Sequence, residues 1–149
     1  MTIKQALKLK NKLVTELNEL ISNLHKNNSV YEGAERAYSS REILTEIYVK
    51  INKITSIKTL IHKANLPVHN LIFEMGELKS LVKNLKQLDC TNGVESNPYT
   101  RRSENLMVKS AEISVVERDF EVKNLERKIE EIQDILDHHN ITTEIPDID

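Results

Sequence analysis

Apolar residues recur along this chain at intervals of three and four, the spacing that gathers side chains on one face of an α-helix. The first run reads Ile3, Ala6, Leu7, Leu13, Val14, Leu17, Leu20, Ile21 and Leu24. Thr2 with Gln5 makes a capping-box pattern ahead of it, and Asn27, Asn28 and Gly33 close it, which predicts a helix over about 3–27. Ser39 and Glu42 repeat the box before Ile43, Ile47, Ile51, Ile54, Ile57 and Ile61. That second helix, over about 41–64, closes at Asn65 ahead of Pro67. A third run, about 68–88, puts Ile72, Met75, Leu78, Val82, Leu85 and Leu88 on one face, slightly weakened by Gly76. Thr91–Gly93 is a turn signal. The last helix, about 113–139, carries Val116, Phe120, Leu125, Ile129, Ile132 and Leu136 in a heptad-like repeat. The acidic tail TTEIPDID is expected to fray.

The pattern predicts an all-α fold: an antiparallel bundle of four long helices with coiled-coil-like packing, in a single helical domain over 1–149. Polar connectors cover 28–40 and 90–112. An up-down-up-down course would bring those two connectors to one end, and the chain termini and the Asn65–Asn70 turn to the other. Long thin helical hairpins leave apolar surface uncovered, and closed homo-oligomers are a usual remedy.

Composition narrows the class. Four Tyr, two Phe and no Trp leave the core to Leu, Ile and Val, and three Gly with three Pro are too few for an all-β chain. Charged residues make up 30% with both signs mixed and a net charge of −2, which lacks the basic field of a nucleic-acid-binding surface. The single cysteine, Cys90, excludes an internal disulfide framework and a multi-cysteine metal site, and fits a reducing compartment. The sequence contains no apolar run of about 18 residues, and MTIKQALKLK lacks the continuous apolar core of a signal peptide. The expectation is a cytoplasmic protein with no membrane contact.

One segment breaks the helical pattern: NPYTRRSENLMVK, from Asn97 to Lys109. Arg101 and Arg102 supply guanidinium forks, which match carboxylate and phosphate geometry. Tyr99, and Tyr31 from the other connector, could stack on a ring, while Ser103 and Asn105 could hydrogen-bond phosphate or ribose oxygens. Together they outline a pocket for a nucleotide-like anion. The competing reading ties Arg101 or Arg102 to Glu104, Glu32 or Glu35 as a lock between connectors. Adjacent residues of an extended strand face opposite ways, so one arginine could instead meet a neighbouring subunit.

Four blocks in order also carry a resemblance. MTIKQALKLK is similar to an M-K-L-x-E-A-L-like opening, NNSVYEG to an N-x-x-x-Q-E-G-like connector, YTRRSEN to a Y-x-R-S-E-I-like segment, and IQDILDHHNITTEI to an I-Q-x-x-N-W-T-T-like ending. In this the chain resembles a small uncharacterised family of bacterial helical proteins, some of which carry the name septicolysin. Ile141 stands where that family usually has Trp, Asn105 where it has Ile, and the middle of the chain matches poorly. The resemblance implies a helical fold and marks both connectors as family signatures. It transfers no activity.

Catalytic constellations are missing: no nucleophile elbow, P-loop or dinucleotide fingerprint occurs. Carboxylate pairs such as Glu130–Glu131 lie in charge-mixed helical surroundings, and the Glu-x-x-His repeat of dimetal bundles is absent. His62, His69, His138 and His139 fall near one end, yet no ligand spacing links them, so they read as surface histidines without a metal. The function expected is non-enzymatic and needs no cofactor. It is the holding of a small anionic, nucleotide-type ligand at the connector end by Arg101, Arg102, Tyr99, Ser103, Asn105 and Tyr31, as in a phage or bacterial sponge for a nucleotide signal. The alternative is a structural or interaction oligomer with no small-molecule ligand.

Overall fold

The computed structural model describes residues 1–95 and 107–148. It is mostly helical: α1 spans Ile3–Asn27, α2 Ser40–Ala64, α3 His69–Lys86 and α4 Val115–Thr142, with a 3-10 turn at Leu66–Val68 between α2 and α3. A small antiparallel sheet, β1 (Gly93–Glu95) and β2 (Met107–Lys109), lies between α3 and α4. The chain divides into two compact units, one of Met1–His69 with Leu136–Asp149 and one of Asn70–Ile135.

In the first unit, helix ends follow their caps. Thr2 Oγ1 accepts from Gln5 N at 3.3 Å while Gln5 Oε1 accepts from Thr2 N at 2.8 Å, so two donors that helix geometry leaves unpaired are satisfied reciprocally. Ser39 Oγ accepts from Glu42 N to start α2, and the Asn65 N–H closes it on Ile61 O and His62 O. Helices α1 and α2 run antiparallel: Ile3 and Ala6 pack with Ile57 and Ile61 at one end, Glu16 meets Lys50 midway, and Leu24 shares a recess with Leu44 at the other. The buried positions of α2 are Ile43, Ile47, Ile54, Ile57 and Ile61. Ile51, expected on that face, is 41% exposed, because spacings of three and four lead from Ile47 to Ile54 through residue 50 in one order and residue 51 in the other. Lys50 takes the inward position and its ammonium bonds Glu16 Oε2 at 2.5 Å.

The tail does not fray. Ile145 N donates to Met1 O at 2.9 Å and Ile3 N to Thr143 O at 3.1 Å, an antiparallel pairing through Thr2 and Glu144. The Met1 amine adds bonds to Ile145 O and Asp147 Oδ1, each 3.0 Å. The cause is apolar: Ile145 is 5% exposed against Ile3, Ala6, Ile57 and Ile61, with Ile148 packed beside it. Polar composition hid Ile145 and Ile148 in a tail too short to show a period.

In the second unit, α4 starts from a capping box that the apolar pattern alone does not mark. Ser114 N donates to Glu117 Oε2 at 2.8 Å and Glu117 N to Ser114 Oγ at 3.1 Å, bonds that hold the Glu117 carboxyl below its ordinary pKa. Its buried positions there are Val122 and Ile132, whereas Val116 and Phe120 are 78% and 65% exposed. Phe120 to Leu125 is a step of five, which leaves the stripe; Val122 to Leu125 is a step of three, which keeps it. Lys86 Nζ pairs with Glu126 at 2.6 Å and Lys128 with Glu74, joining α3 to α4. The connector expected over 90–112 is not all coil. Val94 faces Val108 in the ladder, Gly93 turns at φ 115°, and Asn92 Oδ1 accepts from Ala111 N at 2.7 Å. Three-residue strands are too short to produce a readable alternation.

Candidate anion-binding site

The α1–α2 connector brings a helix C-terminus and a helix N-terminus together. Arg36 Nη1 donates to Asn27 O at 3.0 Å and Asn28 O at 2.8 Å, carbonyls that the end of α1 leaves without helical partners. Gly33, at φ 81°, and a turn from Ala34 N to Tyr31 O at 3.1 Å fold the chain back so that Arg36 reaches them. Ser39 then caps α2, and Ser40 and Arg41 form its first turn, where unpaired N–H groups and the helix dipole favour negative charge.

Two adjoining recesses open at this point. One, of about 480 Å³, is lined by Leu24, His25, Asn28, Ser29, Ser40, Arg41 and Leu44. The other, of about 500 Å³, is lined by Asn28, Arg36, Ala37, Tyr38, Ser39, Ser40 and Arg41. Asn28, Ser40 and Arg41 belong to both. The first therefore has an aliphatic side from Leu24 and Leu44, while the second is walled by a guanidinium, a phenol and hydroxyls. Ser40 Oγ is buried and has no hydrogen-bond partner among the described residues. Arg41 makes no ion pair among them. The chemistry on offer is hydrogen-bond donation and positive charge at one side of a cleft and aliphatic contact at the other.

Of the residues expected from sequence, Arg101, Arg102, Tyr99, Ser103 and Asn105 lie outside the described residues. Tyr31 is 93% exposed and lines neither recess. Arg36, Tyr38, Ser40 and Arg41 were not singled out by the sequence reading. Their signal is the hexapeptide RAYSSR, two arginines bracketing a helix start, in which Ser39 alone reads as a cap.

A second polar cluster sits at the base of the hairpin. Asp89 Oδ1 accepts from the Thr91 hydroxyl and from Thr91 N at 3.0 Å, and Asp89 Oδ2 meets Lys109 Nζ at 3.3 Å. These bonds, those of Thr91 foremost, pull the Asp89 carboxyl down to about 2. The recess beside it, about 200 Å³, is lined by Leu88, Asp89, Ala111, Glu112 and Ile113, an acidic setting that disfavours an anion. Among the described residues no helix is long and apolar enough to cross a membrane, and no three His, Cys, Asp or Glu side chains are grouped to hold a metal ion. Compared with protein-family models, curated proteins and solved structures, the chain matches none significantly.

Proposed function

We propose that this chain is a non-enzymatic binding protein that holds a small anionic ligand of nucleotide type at the α1–α2 connector. The observation that carries the reading is the sharing of Arg41 and Ser40 by two recesses of unlike character at the start of a long helix. A phosphate would take the Arg41 guanidinium and the first-turn N–H groups of α2, with Ser40 Oγ as a further donor. A base or similar ring would lie toward Leu24 and Leu44, with His25 at the rim. Each recess falls in the size range of small-molecule sites, about 300–1,000 Å³. Sequestration of a nucleotide signal is the role this chemistry suits.

The test is native mass spectrometry and calorimetry of the protein with linear and cyclic nucleotides and inorganic phosphate. Binding should fall at least tenfold in Arg41→Ala, with the melting temperature unchanged. Arg36→Ala is a poor probe of binding, since it also uncaps α1. The sequence expectation for Arg101 and Arg102 is checked in the same assay by Arg101→Ala and Arg102→Ala. If no member of the panel binds, the nucleotide reading fails.

A second reading, a homo-oligomeric interaction protein without a small ligand, is favoured by one observation. Val116 and Phe120 are largely exposed one turn apart at the start of α4. Sedimentation equilibrium of the protein and of Phe120→Ser decides it: an oligomer dissociated by the substitution supports this reading, and a monomer in both removes it.

A further inference from the structure

We propose that His62 and His69 form a two-imidazole site for a divalent transition-metal ion at the turn between α2 and α3. His62 lies in the last turn of α2 and His69 opens α3, with the 3-10 turn Leu66–Val68 between them. That turn fixes the backbone. Asn65 N bonds Ile61 O at 3.0 Å and His62 O at 3.2 Å, Val68 N bonds Asn65 O at 3.0 Å, and Pro67 holds its own φ. Across it the two imidazole rings sit with centroids 4.9 Å apart and planes at 47°.

That spacing fits a shared ion. A zinc–nitrogen bond of about 2.0–2.1 Å puts the metal about 3.2 Å from each ring centroid. Two such arms opening at roughly the tetrahedral angle leave the centroids about 5 Å apart. Edge-on approach of both rings to one point requires rotation about the side-chain torsions of exposed His62 and half-buried His69. Ligand type sets the choice of ion: imidazole suits Zn²⁺, Ni²⁺ and Cu²⁺, whereas Mg²⁺ and Ca²⁺ require oxygen donors. The C-terminal end of α2 favours a cation at His62, the start of α3 opposes one at His69, and the imidazole nitrogens rather than the helix ends supply the affinity. Since no group of three or more His, Cys, Asp or Glu side chains is found among the described residues, water completes the coordination. The site is therefore open and exchangeable, not a closed structural one.

Zinc chloride titrated into the full chain, in a non-chelating buffer near neutral pH, is the test. Calorimetry should show one saturable site per chain, reversed by EDTA, with magnesium chloride giving no heat. Cu²⁺ loaded in place of zinc should show nitrogen hyperfine structure from two imidazoles by electron paramagnetic resonance. Either His62→Ala or His69→Ala should weaken binding at least tenfold, and His138→Ala, an exposed histidine of α4, should not. Melting curves of each variant establish that it is folded, and His69→Asn serves if His69→Ala is not. No saturable zinc binding, or binding retained with both histidines replaced, overturns the proposal.

Discussion

Lys50 and Glu16 meet at 2.5 Å across the α1–α2 seam, at positions where the neighbouring turns place Ile47 and Ile54 on α2 and Leu13 and Leu20 on α1. A charged pair in an aliphatic seam costs desolvation, and its best-attested benefit is to fix register. Lys50→Met alone should lower the melting temperature, because it leaves the Glu16 carboxylate in the seam with only the longer Lys12 contact, at 3.8 Å, for a partner. Lys50→Met with Glu16→Met should restore or raise it. Amide spectra of the double variant should then show added peaks from a second register. A double variant with lower stability than Lys50→Met would mean that the pair is a net stabiliser instead.

Ile145 fills the end of the first unit, so its removal opens a cavity against Ile3 and Ile57. Ile145→Ala should cost about 2–5 kcal/mol in urea denaturation, the usual range for truncating a buried isoleucine to alanine. Deleting residues 143–148 should cost more and bind a hydrophobic dye, since Ile3 and Ala6 would lose their cover.

Asp89 gives the hairpin base a defined acid sensitivity. Its folded pKa, about 2, lies below the ordinary 3.8, so its contribution is fully present above about pH 4. It is lost as pH falls toward 2, when the protonated carboxyl releases Lys109 and weakens its bonds to Thr91. The protection of the Thr91 amide, its exchange rate referred to the intrinsic rate at each pH, should fall over that window in the parent protein. In Asp89→Asn the exchange should already be fast at pH 6 and show no such step.

Gly93 and Gly33 occupy positive φ with open space where a Cβ would go, so substitution there tests backbone strain alone. Gly93→Ala should destabilise the hairpin by about 1 kcal/mol or more. Gly33→Ala, at φ 81° near the left-handed region, should cost less. Hydrogen exchange at Val94 and Val108, and at Ala34, reads the two effects locally.

How much of this was legible in the sequence depended on the length of each pattern. Helices α1 and α2 each run 25 residues, long enough for capping residues and a repeated stripe to agree, and their ends were read to within a residue. Where two spacings fit, as at Lys50 and Ile51, periodicity could not choose; the carboxylate of Glu16 on the facing helix did. The strand pairing of Met1–Ile3 with Thr143–Ile145 was hidden because its partners are 142 residues apart in sequence and only a few residues long. At the candidate site, density of chemistry drew attention to Arg101 and Arg102, while Arg36 and Arg41 stood apart on either side of a serine pair. Only folding of the connector through Gly33 brings Arg36 back onto the end of α1.

The pairing of the first residues with the last also sets an order of events. Ile57 and Ile61 cover Ile3 and Ala6 once α1 and α2 pair, yet the last part of that cover is Ile145, which reaches them only by closing a loop on the order of 140 residues. Such a contact carries a large closure entropy and forms late. The α1–α2 pair must therefore hold Ile3 and Ala6 half-covered until the far end of α4 arrives.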